Sequence, residues 1–373
     1  MPEVRHEWYE IGDIKTLDSP ALVVYPERIR QNIQASIAAV KDVQRLRPHV
    51  KTHKSREVSQ LLMSAGIRKF KCSTIAEAEM LGMCGADNVV LAYQPIGPKV
   101  QRLINVVKKY STTKYSCLID NRLSAKRISD ACIRNGLTLS VYVDLNIGQN
   151  RSGITPGMDA LELYKEAAGL PGITPMGLHA YDGHIRTSDF VLRTRQCNEA
   201  FSHVEDLKEE LMNNGFPEPL IIAGGSPTFP IHSKRRTIDC SPGTFVYWDK
   251  SYLDTCAEQD FIPAAVLVTR IISLPGATKV CVDLGHKSVA SENDISRRVF
   301  FLNAEGLTPV SQNEEHLVLE VPAGHHFEVG DVLYALPFHI CPTVALYERV
   351  YTIENGKISG EWKNIARDRK IVC

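Results

Sequence analysis

Short apolar runs with strand-like composition recur along the first 240 positions, separated by segments whose apolar residues follow a helical period. The runs are LRPHVK (46–51), KFKCS (69–73), NVVLA (88–92), YSCLI (115–119), LSVYVD (139–144), TPMGLHA (174–180), PLIIAG (219–224) and TIDCS (237–241). Helices are predicted at 54–65, 75–83, 98–110, 123–135, 157–168 and 189–213, the last with mixed charge on an exposed face. This alternation predicts βα units around a parallel sheet, and eight strands is the count of a TIM-like (β/α)8 barrel. A further strand, ALVVY (21–25), precedes them and leads into the amphipathic segment 27–43, with Pro26 placed to start its helix. Beyond about residue 245 the texture changes: AAVLVTRIISL, TKVCVDLG, HLVLEVP, DVLYALP and RVYTIENGKI are strand-like, with Gly, Pro and Asn turns between them. The expectation is an α/β chain with a barrel over 20–244 and a mainly β domain over 245–373, which residues 1–19 join. No repeat, low-complexity tract or long Gly/Ser linker is visible, so the two parts are expected to pack closely.

Charge narrows the function classes. Lys+Arg 43 balance Asp+Glu 43 in 373 residues, and the isoelectric point is near 7.2. Such a chain has no global field for nucleic acid or an anionic membrane, so recognition must be local, and a small molecule is the expected partner. The 10 cysteines contain no CxxC pair and lie mostly in apolar segments, which reads as buried reduced thiols. The opening MPEVRHEWYEIGDIKTLDSP has acidic residues and no apolar signal core, and no window approaches the roughly 18 uncharged apolar residues of a membrane span. A soluble cytoplasmic protein is expected.

In a barrel, the polar residues at the C-terminal ends of the strands form the site. Strand 46–51 runs into Lys51, Thr52, His53 and Lys54; 139–144 ends near Asp144, Asn146, Asn150 and Arg151. Strand 174–180 ends at His179, Tyr181, Asp182 and His184, while 219–224 and 237–241 open into GGSPT (224–228) and SPGT (241–244). A lysine ending an apolar strand can simply snorkel to solvent, and Gly-Ser-Pro is common turn chemistry. Together they read differently. Bare backbone N–H groups and hydroxyls in adjacent loops can hold a phosphate, and a strand-end lysine can form a Schiff base, so the combination points to pyridoxal phosphate.

With those residues in view, the chain resembles the D-threonine aldolase and D-serine dehydratase family of fold-type III pyridoxal phosphate enzymes, which are built on an alanine-racemase-like barrel. The resemblance rests on SPALVVYPERIRQNI, RPHVKTHK (47–54), VDLNIGQNRSGI (143–154), GLHAYDGH (177–184), AGGSPT (223–228), SPGTFVYWD (241–249), EEH (314–316) and HICPT (339–343), in that order along nearly the whole chain. It implies that Lys51 forms the Schiff base and acts as acid or base at the substrate α-carbon, with Lys54 in support. It implies further that Arg151 donates to the cofactor's phenolic oxygen, that Gly225, Ser226, Gly243 and Thr244 bind the phosphate with Gly224 and Thr228 beside them, and that Tyr181 lies at the pyridine ring. His53 faces the cofactor mouth in this reading, as a catalytic residue or a brace for Lys51.

The pair His339 and Cys341, spaced i, i+2, would leave one face of an extended segment and could share a divalent metal. Thiolate and imidazole favour zinc. Such a metal would act at the substrate β-hydroxyl. In the family, dehydratases use a His-x-Cys pair, whereas aldolases often have a carboxylate second and a histidine six residues after the tyrosine. Here that position is Thr187, and His184 lies three residues on. His179 reads equally as a core or a ring-stacking residue, and His286, Glu315 and His316 as groups orienting the metal ligands. The expected function is a pyridoxal phosphate- and metal-dependent lyase acting on a D-β-hydroxy-α-amino acid, by retro-aldol cleavage or by elimination. An amino-acid racemase and a non-catalytic pyridoxal phosphate carrier are the alternatives. The resemblance also implies a homodimer.

Overall fold

A computed structural model describes residues 7–373; residues 1–6, the start of the segment expected to join the β domain, lie outside the described residues. The first strand, β1 (Ala21–Val24), leads into the helix Pro26–Val40, with Pro26 in its first turn as the sequence predicts. Seven parallel strands then follow in spatial order: β2 (Lys69–Cys72), β3 (Asn88–Leu91), β4 (Lys114–Ile119), β5 (Leu139–Leu145), β6 (Ile173–Ala180), β7 (Leu220–Ala223) and β8 (Ile238–Cys240). The helices between them match the periodicity closely: Arg56–Ser64, Ile75–Met83, Pro98–Lys109, Arg122–Arg134, Met158–Gly169 and Phe190–Asn213.

The eighth strand of the expected barrel, 46–51, is not regular. Leu46 bridges Cys240 on β8 and His49 bridges Lys71 on β2, so the segment still fills the gap between the two edge strands. Arg47 N donates to Cys240 O and Val50 N to Lys71 O, both at 2.9 Å. Pro48 is the reason for the irregularity, because without an N–H it cannot continue a ladder on both sides. The ring is closed by individual bonds instead.

Side-chain alternation gives the ring a graded interior. At its N-terminal end, buried Arg47 pairs with Asp239 at 2.9 Å and donates to Asn88 Oδ1 at 2.6 Å, while Lys69 reaches Asp239 at 3.0 Å. Val90, Leu118, Tyr142 and Ile222, from β3, β4, β5 and β7, form a separate buried apolar cluster. Two residues beyond Tyr142 and Gly177 come Asp144 and His179, and two beyond Lys69 comes Lys71, all three buried. A dry plug thus separates a structural ion-pair layer from a polar layer at the mouth.

The second sheet has nine strands: β1 with β9 (Ala265–Gly276), β10 (Lys279–Val282), β11 (Val299–Phe301), β12 (Thr308–Gln312), β13 (Leu317–Glu320), β14 (Val332–Pro337), β15 (Arg349–Glu354) and β16 (Lys357–Lys363). The sequence reading placed 21–25 with the barrel; the structure moves it here. β1 runs antiparallel to β9, with Ala21 opposite Val268, and parallel to β15, with Val23 opposite Tyr351. Alternation explains the placement: Leu22 and Val24 join the main core, whereas Ala21 and Val23 join a second core with Tyr9, Ile11, Leu17, Val266, Val268 and Tyr334. All ten cysteines are free, and seven of them are buried. Among the described residues, no helix is long and apolar enough to cross a membrane.

Candidate active site

Lys51 follows the ring-closing segment directly, and the Nζ of this half-buried residue lies 5.8 Å from the centroid of the Tyr181 ring. Arg151 Cζ is 5.0 Å from the same centroid. The expected Schiff-base lysine, ring tyrosine and arginine therefore meet, although 100 or more residues separate Lys51 from the other two. Behind Tyr181, His179 Nδ1 donates to Asp144 Oδ1 at 2.7 Å, and Ser152 Oγ donates to Asp144 Oδ2 at 3.0 Å. Burial lowers the His179 pKa, outweighing the opposing pull of Asp144. A neutral ring with its Nδ1 proton fixed on a carboxylate leaves Nε2 as an acceptor toward the mouth.

The two glycine-rich loops form a cradle. Gly225 N donates to Thr228 Oγ1 at 3.2 Å, and Thr244 N to Ser226 Oγ at 3.2 Å. Only small residues fit: a Cβ on Gly243 would stand 2.9 Å from His49 O, and one on Gly224, whose φ is +82°, would stand 2.8 Å from His232 Cδ2. Glycine-rich loops carrying hydroxyls beside a lysine and an arginine suit a phosphorylated aldehyde, so the residues present fit pyridoxal phosphate.

A layer in which Asp182 and Thr228, named from the sequence, join His232 and Arg235, which were not, supports this cradle. Asp182 accepts from Thr228 Oγ1 and from His232 Nε2, both at 2.8 Å, and Arg235 donates to His232 Nδ1 at 3.0 Å. Burial raises the Asp182 carboxyl, but the bonds from His232 and Thr228 prevail and hold it below its usual range. With Cys197, these residues bring three metal-type ligand atoms within 4.8 Å of one another. The hydrogen bonds already engage both His232 nitrogens, so the cluster reads as a brace for the loop, not as a metal centre.

The His-Ile-Cys motif does not form the expected extended segment. His339 is the N-cap of the helix Ile340–Leu346, with extended φ −136°, and Cys341 lies in the first turn; Pro342, one residue on, is compatible with a helix start. The two side chains still lie close enough to influence each other's charge. Desolvation opposes charge on both, yet Cys341 and Glu292 raise the His339 pKa to about 9, while His339 and Lys51 lower that of Cys341. Once deprotonated, a cysteine and a histidine brought together offer sulfur and nitrogen donors that fit a metal of intermediate softness. Glu292 holds the other side of the pair through His339 Nδ1, the carboxylate arrangement that commonly orients a metal-binding histidine. No motif in the sequence marks Glu292; the residues expected in that role, His286, Glu315 and His316, are all exposed, and Glu315 pairs with Lys287.

Cys341 also reaches the barrel: its Sγ is 3.1 Å from Thr52 Oγ1 and 3.7 Å from Thr244 Oγ1. A cleft of about 420 Å³, lined by Arg186, Asp249, Arg297, Phe338 and His339 among others, opens beside the motif. His53 turns elsewhere. It is buried, accepts from Ser55 N at 3.2 Å through Nδ1, and its Nε2 has no partner; burial depresses its pKa to about 3. Lys54 pairs with buried Glu77.

Comparison with known proteins agrees with this geometry. Residues 24–251 match the alanine racemase N-terminal domain family, and residues 264–353 match a serine dehydratase domain. D-threonine aldolase of Arthrobacter sp is 27% identical over 95% of this chain and 94% of the relative, and D-threo-3-hydroxyaspartate dehydratase of Delftia sp. strain HT23 is 25% identical over 89% and 93%. Among solved structures, D-threonine aldolase from Filomicrobium marinum superposes with a TM-score of 0.88 at 23% identity, covering 94% of this chain and 96% of that one. A D-threo-3-hydroxyaspartate dehydratase with a cysteine replaced by alanine, solved in a metal-free form, superposes with a TM-score of 0.80 at 21% identity, covering 94% of this chain and 98% of that one. With more than half of its length matched, the chain belongs to the alanine racemase N-terminal domain family, and its C-terminal part matches a serine dehydratase domain.

Proposed function

We propose that the chain is a pyridoxal phosphate- and divalent-metal-dependent lyase acting on a D-β-hydroxy-α-amino acid. The observation that carries this reading is the contact of Cys341 with Thr52, which sets the Cys341 and His339 pair beside the residue that follows Lys51. A racemase needs no such pair. When bound, the cofactor supplies an electron sink for the α-carbon and the metal a Lewis acid for the β-hydroxyl.

The chain's own residues divide the remaining work. Lys51 attaches the cofactor and moves the proton at the α-carbon. Gly225, Ser226, Gly243 and Thr244 hold the phosphate, and Arg151 and Tyr181 position the ring. His339 and Cys341 hold the metal, and their donor set favours zinc. His53 braces the turn after Lys51 and moves no proton. The relatives named as aldolases and as dehydratases share this framework, so cleavage to glycine and an aldehyde, or elimination to a 2-oxo acid and ammonia, are two outcomes for one site. In keeping with the family, the active form is read as a homodimer in the cytoplasm that takes a free amino acid and neither nucleic acid nor membrane.

The test is incubation of the purified protein with D-threonine and with D-serine, before and after chelation, with product identification. Metal-dependent release of glycine and aldehyde, or of 2-oxo acid, supports the proposal. Metal-independent interconversion of D- and L-amino acids, or no turnover at all, overturns it.

A further inference from the structure

Lys71 lies in the barrel interior on β2, is 2% exposed and forms no ion pair among the described residues. Its Nζ meets His179 Nε2 at 3.5 Å and stands 5.5 Å from the Tyr181 centroid. Lys51 and Arg151 converge on that ring as well, so three basic side chains lie around one aromatic ring. The two carboxylates whose charge reaches Lys71 are already engaged, Asp182 by Thr228 and His232 and Asp144 by His179 and Ser152. A buried ammonium without a counter-ion is costly, so an anion bound beside it would stabilise its charged form. The relay fixes its orientation: with the Nδ1 proton of His179 held on Asp144, Nε2 accepts from Lys71.

We propose that Lys71 is a further cofactor-binding residue, supplying a buried cation, in addition to the exposed Arg151, to the doubly anionic pyridoxal phosphate. The inference rests on the cofactor reading given above. Its consequence is a coupling between cofactor affinity and pH. Burial, and then the Lys51 charge, lower the Lys71 pKa to about 7, with Arg47 acting in the same sense and Asp182 and Asp144 opposing. His49 and His179, which also face Lys71, are themselves held toward the neutral form by burial. An incoming anion favours the protonated amine, so binding takes up a proton once the pH exceeds about 7. The strand KFKCS carried the signal, since Lys69 and Lys71 share the inward face by alternation.

The experiment titrates cofactor-free protein with pyridoxal phosphate between about pH 6 and about pH 9, comparing the unchanged chain with Lys71→Met and Lys71→Arg. Proton uptake is read calorimetrically in two buffers of different ionisation enthalpy, and the labelled lysine is identified by borohydride reduction and peptide mapping. Lys71→Met is expected to bind the cofactor about tenfold more weakly at the acid end and to lose the extra proton uptake. Lys71→Arg, which keeps the charge, should keep the affinity and flatten the pH dependence, and it remains decisive should the methionine variant misfold. Equal affinity and equal proton uptake in all three, with Lys51 still labelled, would overturn the role of Lys71 and leave the cofactor reading intact. Failure of the unchanged chain to attach the cofactor would overturn both.

Discussion

The Thr52 hydroxyl lies 3.1 Å from Cys341 Sγ, joining the residue after the candidate Schiff-base lysine to a helix of the second sheet, 289 positions away. If this contact marks a metal site, Cys341→Ala should lose stoichiometric metal while retaining the visible band of bound cofactor. Elemental analysis beside an absorption spectrum checks it. Full metal content in the variant would contradict the assignment.

Glu292 shows its role through metal affinity more than through the protein's stability. A carboxylate that orients a metal-binding histidine is typically worth 10–100-fold in affinity, so Glu292→Gln should weaken zinc by about that factor. Competition against a chromophoric chelator measures it. Both Glu292 and His339 are substantially exposed, so unfolding midpoints should scarcely move.

Lys51→Ala is expected to abolish both the visible cofactor band and borohydride trapping, and to reduce turnover by at least about a thousandfold. Trapping of the cofactor on Lys71 or Lys54 in this variant would show that the attachment point was misassigned.

Acid sensitivity should trace in part to His53. Its folded pKa, about 3, lies below the ordinary value of 6.5, so the unfolded chain binds the extra proton first. Its contribution is intact above about pH 6.5 and is lost as the pH falls toward about 3, amounting to roughly 2 kcal/mol by about pH 5. Urea unfolding midpoints at about pH 7 and about pH 5 test this: in His53→Gln the gap between them should narrow. An unchanged gap would mean that the ring protonates without penalty.

Much of the architecture is written locally. Seven barrel strands and six helices fall within a residue or two of the ranges read from periodicity, because alternation and helical period are short-range consequences of burying one face. The eighth strand shows the limit of such a reading: RPHVK has strand composition, yet Pro48 removes the donor on which a regular ladder depends. The strand-end motifs were also legible, since a lysine or a glycine-rich loop announces its chemistry wherever it stands.

What the sequence alone determined was therefore the set of elements, the charge balance and the donors of the site. Tertiary structure decided which of them meet. It placed β1 in the second sheet, where its two faces serve two cores; it set His339 and Cys341 at a helix start; it supplied Glu292 and Lys71, and assigned His53 to a buried turn. These outcomes depend on contacts between residues far apart in the chain and on how much water each side chain retains. Neither quantity is encoded in a local pattern.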